Sequence, residues 1–432
     1  MKKKKSAFVC NNCGYETSKW QGQCPQCKEW NTFEEILVVA KKNNRNSATR
    51  NTISKPVQLS QIIIKENFKI KTNISELDRA LSGGLVKGQV VLLAGHPGIG
   101  KSTLLLQMAS NFSELKVLYV SAEESIDQVA IRSKRLGGSE SVEVISTFDI
   151  DEVLEISKSY DIVIIDSVQM MNTYDIQNRA GSVPQIIECT NRIVEVAKNS
   201  GVAFVVVGHI TKEGNIAGPK MLEHMVDTVL YLEGDKQSEL RLLRVHKNRF
   251  GSDSEVGIFT MTEEGLKSVT DISKLFESYT DTQYGVANAM ILEGSRPVVV
   301  EVQALTTKSS YGYPKRTATG ISLNRLQMLI AVLQKYVNLD LSEFDVFVNI
   351  TSGISIKEPS SDLAVVTAIM SSYYEKPVSN KAVFFGEVGL TSEVRKVVGE
   401  QRRMKEAKNL GYDKIFGAHN IKKISQIKKI LL

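Results

Sequence analysis

Hydrophobic and polar positions divide the chain into stretches with different rhythms. From about 57 to 270, short apolar runs alternate with amphipathic stretches. QVVLLAG, KVLYVSA, DIVIIDS and VAFVVVGH are unbroken and rich in valine and isoleucine, as in strands buried on both faces of a parallel sheet. Helical stretches separate them, among them 101–112 (KSTLLLQMASNF) and 185–200. The alternation predicts a doubly wound α/β sheet. YLEGDKQSELRLLRVHKNRFG then predicts two antiparallel strands around a Gly-Asp turn. Near 271–284 the rhythm changes: AMILEG, PVVVEVQALT, a helix at 323–337, DVFVNI and AVFFGEVG predict a separate α+β domain. Residues 40–56 are polar and charged, the composition of a linker. The expected division is a cysteine-containing module at 1–38, a linker at 39–56, an α/β core at 57–270 and an α+β domain at 271–432.

With 432 residues the chain is long enough for two or three cores, and 42% hydrophobic with 24% charged residues is an ordinary globular composition. The net charge of +6 does not by itself argue for nucleic acid. Cations cluster at Lys2 to Lys5, at Lys41, Lys42, Arg45 and Arg50, and at Lys422, Lys423, Lys428 and Lys429. Such runs are read equally as solvated surface or as phosphate contacts. MKKKKS is followed by AFVCNNCGYE, which is not the apolar stretch of a signal peptide. No run reaches the ~18 apolar residues of a membrane span. A cytoplasmic protein with no membrane association is expected.

Four of the five cysteines form two C-x2-C pairs, Cys10 with Cys13 and Cys24 with Cys27. Each pair sets two sulfurs on one turn, and the two turns complete a tetrahedral four-thiolate site suited to Zn²⁺. No open coordination position or nearby base is evident, so the zinc is expected to be structural. Gly14, Gly22 and Pro25 supply tight backbone, and Trp20 and Trp30 are expected to form the module's small apolar body. Cys189, the fifth, reads as a small buried residue on a helix.

GHPGIGKS matches the phosphate-loop pattern G-x4-G-K-S, and it lies between a predicted strand and a predicted helix. Gly95, His96, Pro97, Gly98, Ile99, Gly100, Lys101, Ser102 and Thr103 would cradle the phosphates of ATP. Backbone N–H groups and the helix N-terminus face the anion, Lys101 reaches the β/γ-phosphates, and Ser102 holds Mg²⁺. Asp166 closes DIVIIDS at a strand end, where a carboxylate engages the same Mg²⁺ or merely caps the next helix. Glu123 and Glu124 follow KVLYVSA. Glu123 is the candidate to polarise the attacking water, and Glu124 reads as helix-start charge. His209 closes the next apolar strand, either as a γ-phosphate sensor or as a polar edge residue.

SGGLVKGQVVLLAGHPGIGKSTLLLQ, LYVSAEES, VIIDSVQ, GHITKEGNIAGPKMLEHMVD and HKNRFG together resemble the bacterial RadA (Sms) family of DNA repair proteins, over essentially the whole chain. The resemblance implies a RecA-like P-loop ATPase core, a homo-hexameric ring, and processing of single-stranded and branched DNA beside a RecA-type recombinase. For the zinc module it implies a role toward DNA or a partner helicase, with which Lys19 and Lys28 are compatible. In KNRFG, Lys247 and Arg249 are spaced to point the same way on a strand. In related ring helicases such a pair reaches a neighbour's nucleotide as a trans finger; binding of DNA phosphates is the alternative. Loops at 169–185 and 211–224 correspond to those lining the channel of RecA-like rings, with Arg179, Lys212 and Lys220 for phosphates and Tyr174 for a base.

The α+β domain resembles the proteolytic domain of Lon in GYPKRTATG, IKEPSSDLAVVTAIMSS and FFGEVGLTSEVRKVVGEQRR. Aligned by motif, Ser361 falls at the nucleophile of the Ser–Lys dyad and Gln401 at the lysine. Glutamine cannot accept the proton, and Arg402 and Arg403 remain protonated, so proteolysis is not expected. A platform for the ring is, with Lys308, Lys315, Arg316 and Arg325 available to DNA.

Overall fold

The computed structural model describes residues 5–10, 15–26, 28–38, 58, 68–138, 141–176, 178–209, 221–234, 239–269, 283–310, 312–351, 356 and 358–431. It forms two compact units, Met1–Ser268 and Val269–Leu432. No helix among the described residues is long and apolar enough to cross a membrane.

The first unit is built on one nine-stranded sheet. Its strands are β1 Val90–Gly95, β2 Val117–Ser121, β3 Val142–Ser146, β4 Ile162–Asp166, β5 Ala203–His209, β6 Thr228–Glu233, β7 Leu240–Asn248, β8 Val256–Thr262 and β9 Gly265–Ser268. They lie in the order β9-β8-β7-β6-β1-β5-β4-β2-β3. From β6 to β3 every pairing is parallel, and β6 to β9 pair antiparallel. This is the RecA-like P-loop architecture. Side chains alternate between two cores because successive strand residues face opposite ways. Val91, Leu93, Tyr119, Ile162 and Ile164 pack with Leu104, Leu105 and Met108 of α1, Lys101–Ser110. Leu92, Val120, Val163, Ile165 and Phe204 pack on the other face with α3, Ile150–Ser157, and α4, Val183–Ser200. The charged helix α2, Ile126–Arg135, starts from a capping box between Ser125 and Gln128.

The structure differs from the pattern in three places. β6 forms the expected antiparallel pair with β7 and also pairs in parallel with β1, and so joins the antiparallel edge to the central sheet. β3 was not expected at all: VEVIS is an edge strand, half exposed, and lacks the continuous apolar run of its neighbours. The stretch expected as a loop to 224 ends in a short helix, Met221–Met225.

The second unit has a six-stranded mixed sheet. Its order is Arg316–Thr319, Phe344–Ile350, Arg296–Lys308, Val286–Glu293, Ala382–Phe384 and Lys414–Phe416. Helix α5, Leu323–Val337, and helix α7, Glu400–Asn409, are amphipathic. Helix α6, Asp362–Tyr374, is buried on every side from Asp362 to Ser372, which explains its lack of polar spacing. AVFFGEVG is not one strand: Ala382–Phe384 joins the main sheet, whereas Glu387–Val388 pairs with Val394–Arg395 in a separate ribbon.

Candidate active site

Parallel register lines up the carboxyl ends of four strands. His209 lies beside Gly95, and Asp166 beside Ser121. The phosphate loop leaves β1 at Gly95 and enters α1 at Lys101. Its glycines answer different demands. At Gly95 a Cβ would lie 2.7 Å from the backbone oxygen of Leu232, whereas Gly98 and Gly100 take φ +78° and +114°, the left-handed region. Gly100 caps α1 without a side chain, so the first helical N–H groups face the loop and suit an anion. Ser102 and Thr103 are half-buried in that first turn.

Lys101 is buried, and its ammonium donates to Gly95 O at 2.8 Å and His96 O at 3.1 Å. Burial lowers its pKa, opposed by the charges of Asp166 and Glu123. Asp166 Oδ2 accepts from the Tyr119 hydroxyl at 2.6 Å. Glu123 Oε1 accepts from Ser167 Oγ and meets His209 Nε2 at 2.9 Å. The hydrogen bond from His209 leads the effects holding the Glu123 carboxyl below its ordinary range, so it is ionised at neutral pH. Glu124 instead forms an ion pair with Arg132 of α2. The geometry therefore separates the adjacent carboxylates: Glu123 faces the loop lysine and Glu124 the helix surface. Three neighbours carry no motif signal and were missed: Tyr119, Ser167, and the buried Arg241, whose Nε donates to Ile99 O in the phosphate loop at 3.3 Å.

Lys247 and Arg249 stand elsewhere. Asn248 pairs with Thr228, which pairs with Val91, four residues along β1 from Gly95. At about 3.3 Å per residue that is roughly 13 Å, at the opposite end of the sheet from the phosphate loop. The two were expected on one strand, but β7 ends at Asn248 and Arg249 lies in the following turn. Lys247 Nζ donates to Glu223 O at 2.7 Å, His224 O at 3.0 Å and Val226 O at 2.7 Å, capping the helix Met221–Met225. Arg249 Nη1 meets Asp227 Oδ1 at 3.2 Å, with its side chain 50% exposed.

The loop after β4 is tightly held. The buried amide of Gln185 accepts from Thr173 N–H at 2.9 Å and donates to Thr173 O, Ile176 O and Asn178 O at 3.0, 2.9 and 3.0 Å. Arg192 adds ion pairs to Asp151, Asp175 and Glu188. Tyr174 and Arg179 project from the loop, both exposed. Lys212 and Lys220 lie outside the described residues.

In the zinc module, Cys10 and Cys24 are fully buried in one cluster with Phe33. Cys10 N–H donates to Tyr15 O and Cys24 N–H to Glu29 O, both at 2.9 Å, and Lys28 N–H returns to Cys24 O. Cys13 and Cys27 lie outside the described residues. Two buried thiols in one cluster, each with the same backbone bond to the residue five ahead, fit a thiolate-bound metal. The tryptophans do not form the interior, contrary to expectation: among the described residues Phe8, Phe33, Cys10 and Cys24 fill it, and Trp20 and Trp30 are exposed. Cys189 is buried on α4, where desolvation pushes its thiol up to about 12.

In the second unit the position aligned with the dyad lysine faces solvent. Gln401 is exposed on α7, whereas Arg403 is fully buried. Arg403 donates to Ser360 Oγ at 3.2 Å, to both Glu358 oxygens at 2.9 and 2.8 Å, and to Val398 O and Met290 O. The serine that meets a cation is thus Ser360, not Ser361, and a guanidinium cannot serve as its base. Arg316 and Arg325 are not free for DNA either. Arg316 donates to Leu341 O and Phe344 O, and Arg325 pairs with the buried Asp362. Arg403→Ala would leave Glu358 without its cation and is expected to destabilise this unit by about 3 kcal/mol. Hydrogen exchange across Asp362–Tyr374 in the intact chain would measure the loss.

Comparison with known proteins agrees with this anatomy. A family model described as a rubredoxin metal binding domain matches residues 8–35, and one described as an AAA domain matches residues 54–215. DNA repair protein RadA of Bacillus subtilis is 44% identical over 96% of this chain and 93% of its own length. The proteins of the same name in Haemophilus influenzae and Listeria monocytogenes are each 43% identical, over 94% and 96% of this chain and 91% and 92% of theirs.

Proposed function

The chain belongs to the RadA family of DNA repair proteins, and on that premise we propose that it is a DNA-dependent ATPase and helicase that processes branched recombination intermediates. The carrying observation is the convergence of Lys101, Glu123, Asp166 and His209 at the carboxyl ends of adjacent strands, immediately before the two loops assigned to DNA. Lys101 and the loop N–H groups bind the phosphates of ATP, Glu123 orients and polarises the attacking water, and His209 reports its state to the segment that follows β5. Ser102 and Asp166 would hold Mg²⁺, which neutralises phosphate charge when bound. Four cysteines, Cys10, Cys13, Cys24 and Cys27, would hold a structural Zn²⁺.

The distance of Lys247 and Arg249 from their own phosphate loop supports a role toward a neighbour's nucleotide, hence a ring, which we take to be a homo-hexamer working with a RecA-type recombinase in the cytoplasm. Arg179, Lys212, Lys220 and Tyr174 would contact single-stranded and branched DNA in its channel. Proteolysis has no support in the Arg403–Glu358–Ser360 cluster.

Single-stranded DNA is expected to raise ATP turnover, and forked DNA to be unwound only with hydrolysable ATP. Turnover indifferent to DNA would defeat the motor reading and leave a protein-directed ATPase. In Lys212→Ala/Lys220→Ala, the slope of log affinity against log salt should fall by roughly 1.4, the contribution of two single-strand phosphate contacts; an unchanged slope removes both from the channel. Cys24→Ser should release zinc to a chromogenic chelator while DNA-free ATP turnover stays unchanged.

A further inference from the structure

The chain holds two tryptophans, and both lie on the surface of the zinc module, Trp20 55% and Trp30 67% exposed. Indoles average high burial in folded proteins, and the interior here is filled without them. Instead they converge over one residue. A methyl group on Gly22 would lie 3.5 Å from Trp30 Cζ3 and 3.8 Å from Trp20 Cη2.

Backbone contacts hold this arrangement. Asn31 N–H donates to Gly22 O at 2.7 Å, Gln23 and Trp30 form an antiparallel bridge, and Gln23 Nε2 donates to Lys28 O at 2.8 Å. Among the described residues neither indole contacts another aromatic ring or a cation. Lys19 precedes Trp20 and Lys28 stands two before Trp30, both exposed, with the exposed Glu29 between Lys28 and Trp30.

We propose that Trp20 and Trp30, with Gly22 as floor and Lys19 and Lys28 as flanks, form a stacking site for the unpaired bases of single-stranded nucleic acid. Every base offers a π face, so the site needs no sequence code, and the lysines meet the phosphates between stacked bases. Arginine side chains of a polypeptide also suit an indole face. Lys19 and Lys28 repel such a ligand and attract phosphate, which favours nucleic acid. The inference rests on the DNA-directed reading above and adds a contact outside the ATPase sheet.

Because the chain has no other tryptophan, its intrinsic fluorescence, excited where tyrosine does not absorb, reports on this site alone. Oligothymidylate of about fifteen nucleotides, enough to span such a site, should quench that emission in the full-length protein. Trp20→Ala and Trp30→Ala should each weaken binding about tenfold, with phenylalanine at either position recovering part of it. Lys19→Ala and Lys28→Ala should each lower the salt slope by about 0.7. Zinc content and DNA-free ATP turnover, unchanged in all four alanine variants, show that the module still folds. Unchanged emission while the same oligonucleotide stimulates ATP turnover overturns the proposal and leaves the DNA-directed reading standing. Quenching by an oligo-arginine peptide but not by oligothymidylate assigns the indoles to a protein partner and also overturns it. If the oligonucleotide neither quenches nor stimulates, the DNA-directed reading fails as well.

Discussion

Replacing Lys101 with alanine is expected to lower ATP turnover about a thousandfold, the loss typical of removing one preorganised group that stabilises developing charge. Two features make so large an effect reasonable. The ammonium is already inside the loop, bonded to Gly95 O and His96 O, so it reaches phosphate with little reorganisation. It is also buried, where a charge acts through a lower dielectric than at the surface. The loop should survive, because Gly95 and Gly100 fit against Leu232 and Met261, and Arg241 holds Ile99 O independently of Lys101. Circular dichroism and DNA-free melting should therefore match the native protein while steady-state hydrolysis collapses. A variant that kept a tenth of native turnover would remove Lys101 from the centre of the chemistry.

Arg249→Ala should also lower turnover about a thousandfold, the lower end of what a trans cation contributes to phosphoryl transfer. The effect should differ in kind, because Arg249 lies at the far end of the sheet from its own loop. The variant should bind nucleotide normally and fail only at hydrolysis. Mixing it with Lys101→Ala subunits should restore part of the activity, since some interfaces would then pair an intact loop with an intact Arg249. No recovery on mixing, together with lost DNA affinity, would make Arg249 a DNA ligand instead. Lys247 is a weaker candidate for the same role than the sequence suggests, because its ammonium already caps the carbonyls of Glu223, His224 and Val226.

The central strands could be read directly because burial on both faces demands continuous Val and Ile runs, and the phosphate loop because its glycines answer steric limits that no other residue meets. Edge strand β3 could not, because its half-exposed residues have no such demand. Tyr119, Ser167 and Arg241 support the site from strands or strand ends whose neighbours are fixed only by register, information absent from local sequence. Motif alignment places Gln401 at the lysine position, whereas the fold sets Arg403 beside Ser360. Residues two apart on a helix differ by about 200° in direction, so Arg403 turns inward where Gln401 turns to solvent. The tryptophans misled because hydrophobicity predicts burial only where there is interior to receive it, and this module is filled by smaller rings and thiols.

The Gln185 amide, finally, has a mechanical meaning. A segment latched to a helix at Thr173, Ile176 and Asn178 retains few torsions of its own. Tyr174 and Arg179 are then carried as a rigid tooth on α4 rather than as a compliant fringe. On the proposed function, a strand contacted by Tyr174 and Arg179 would follow any movement of α4 with little slack.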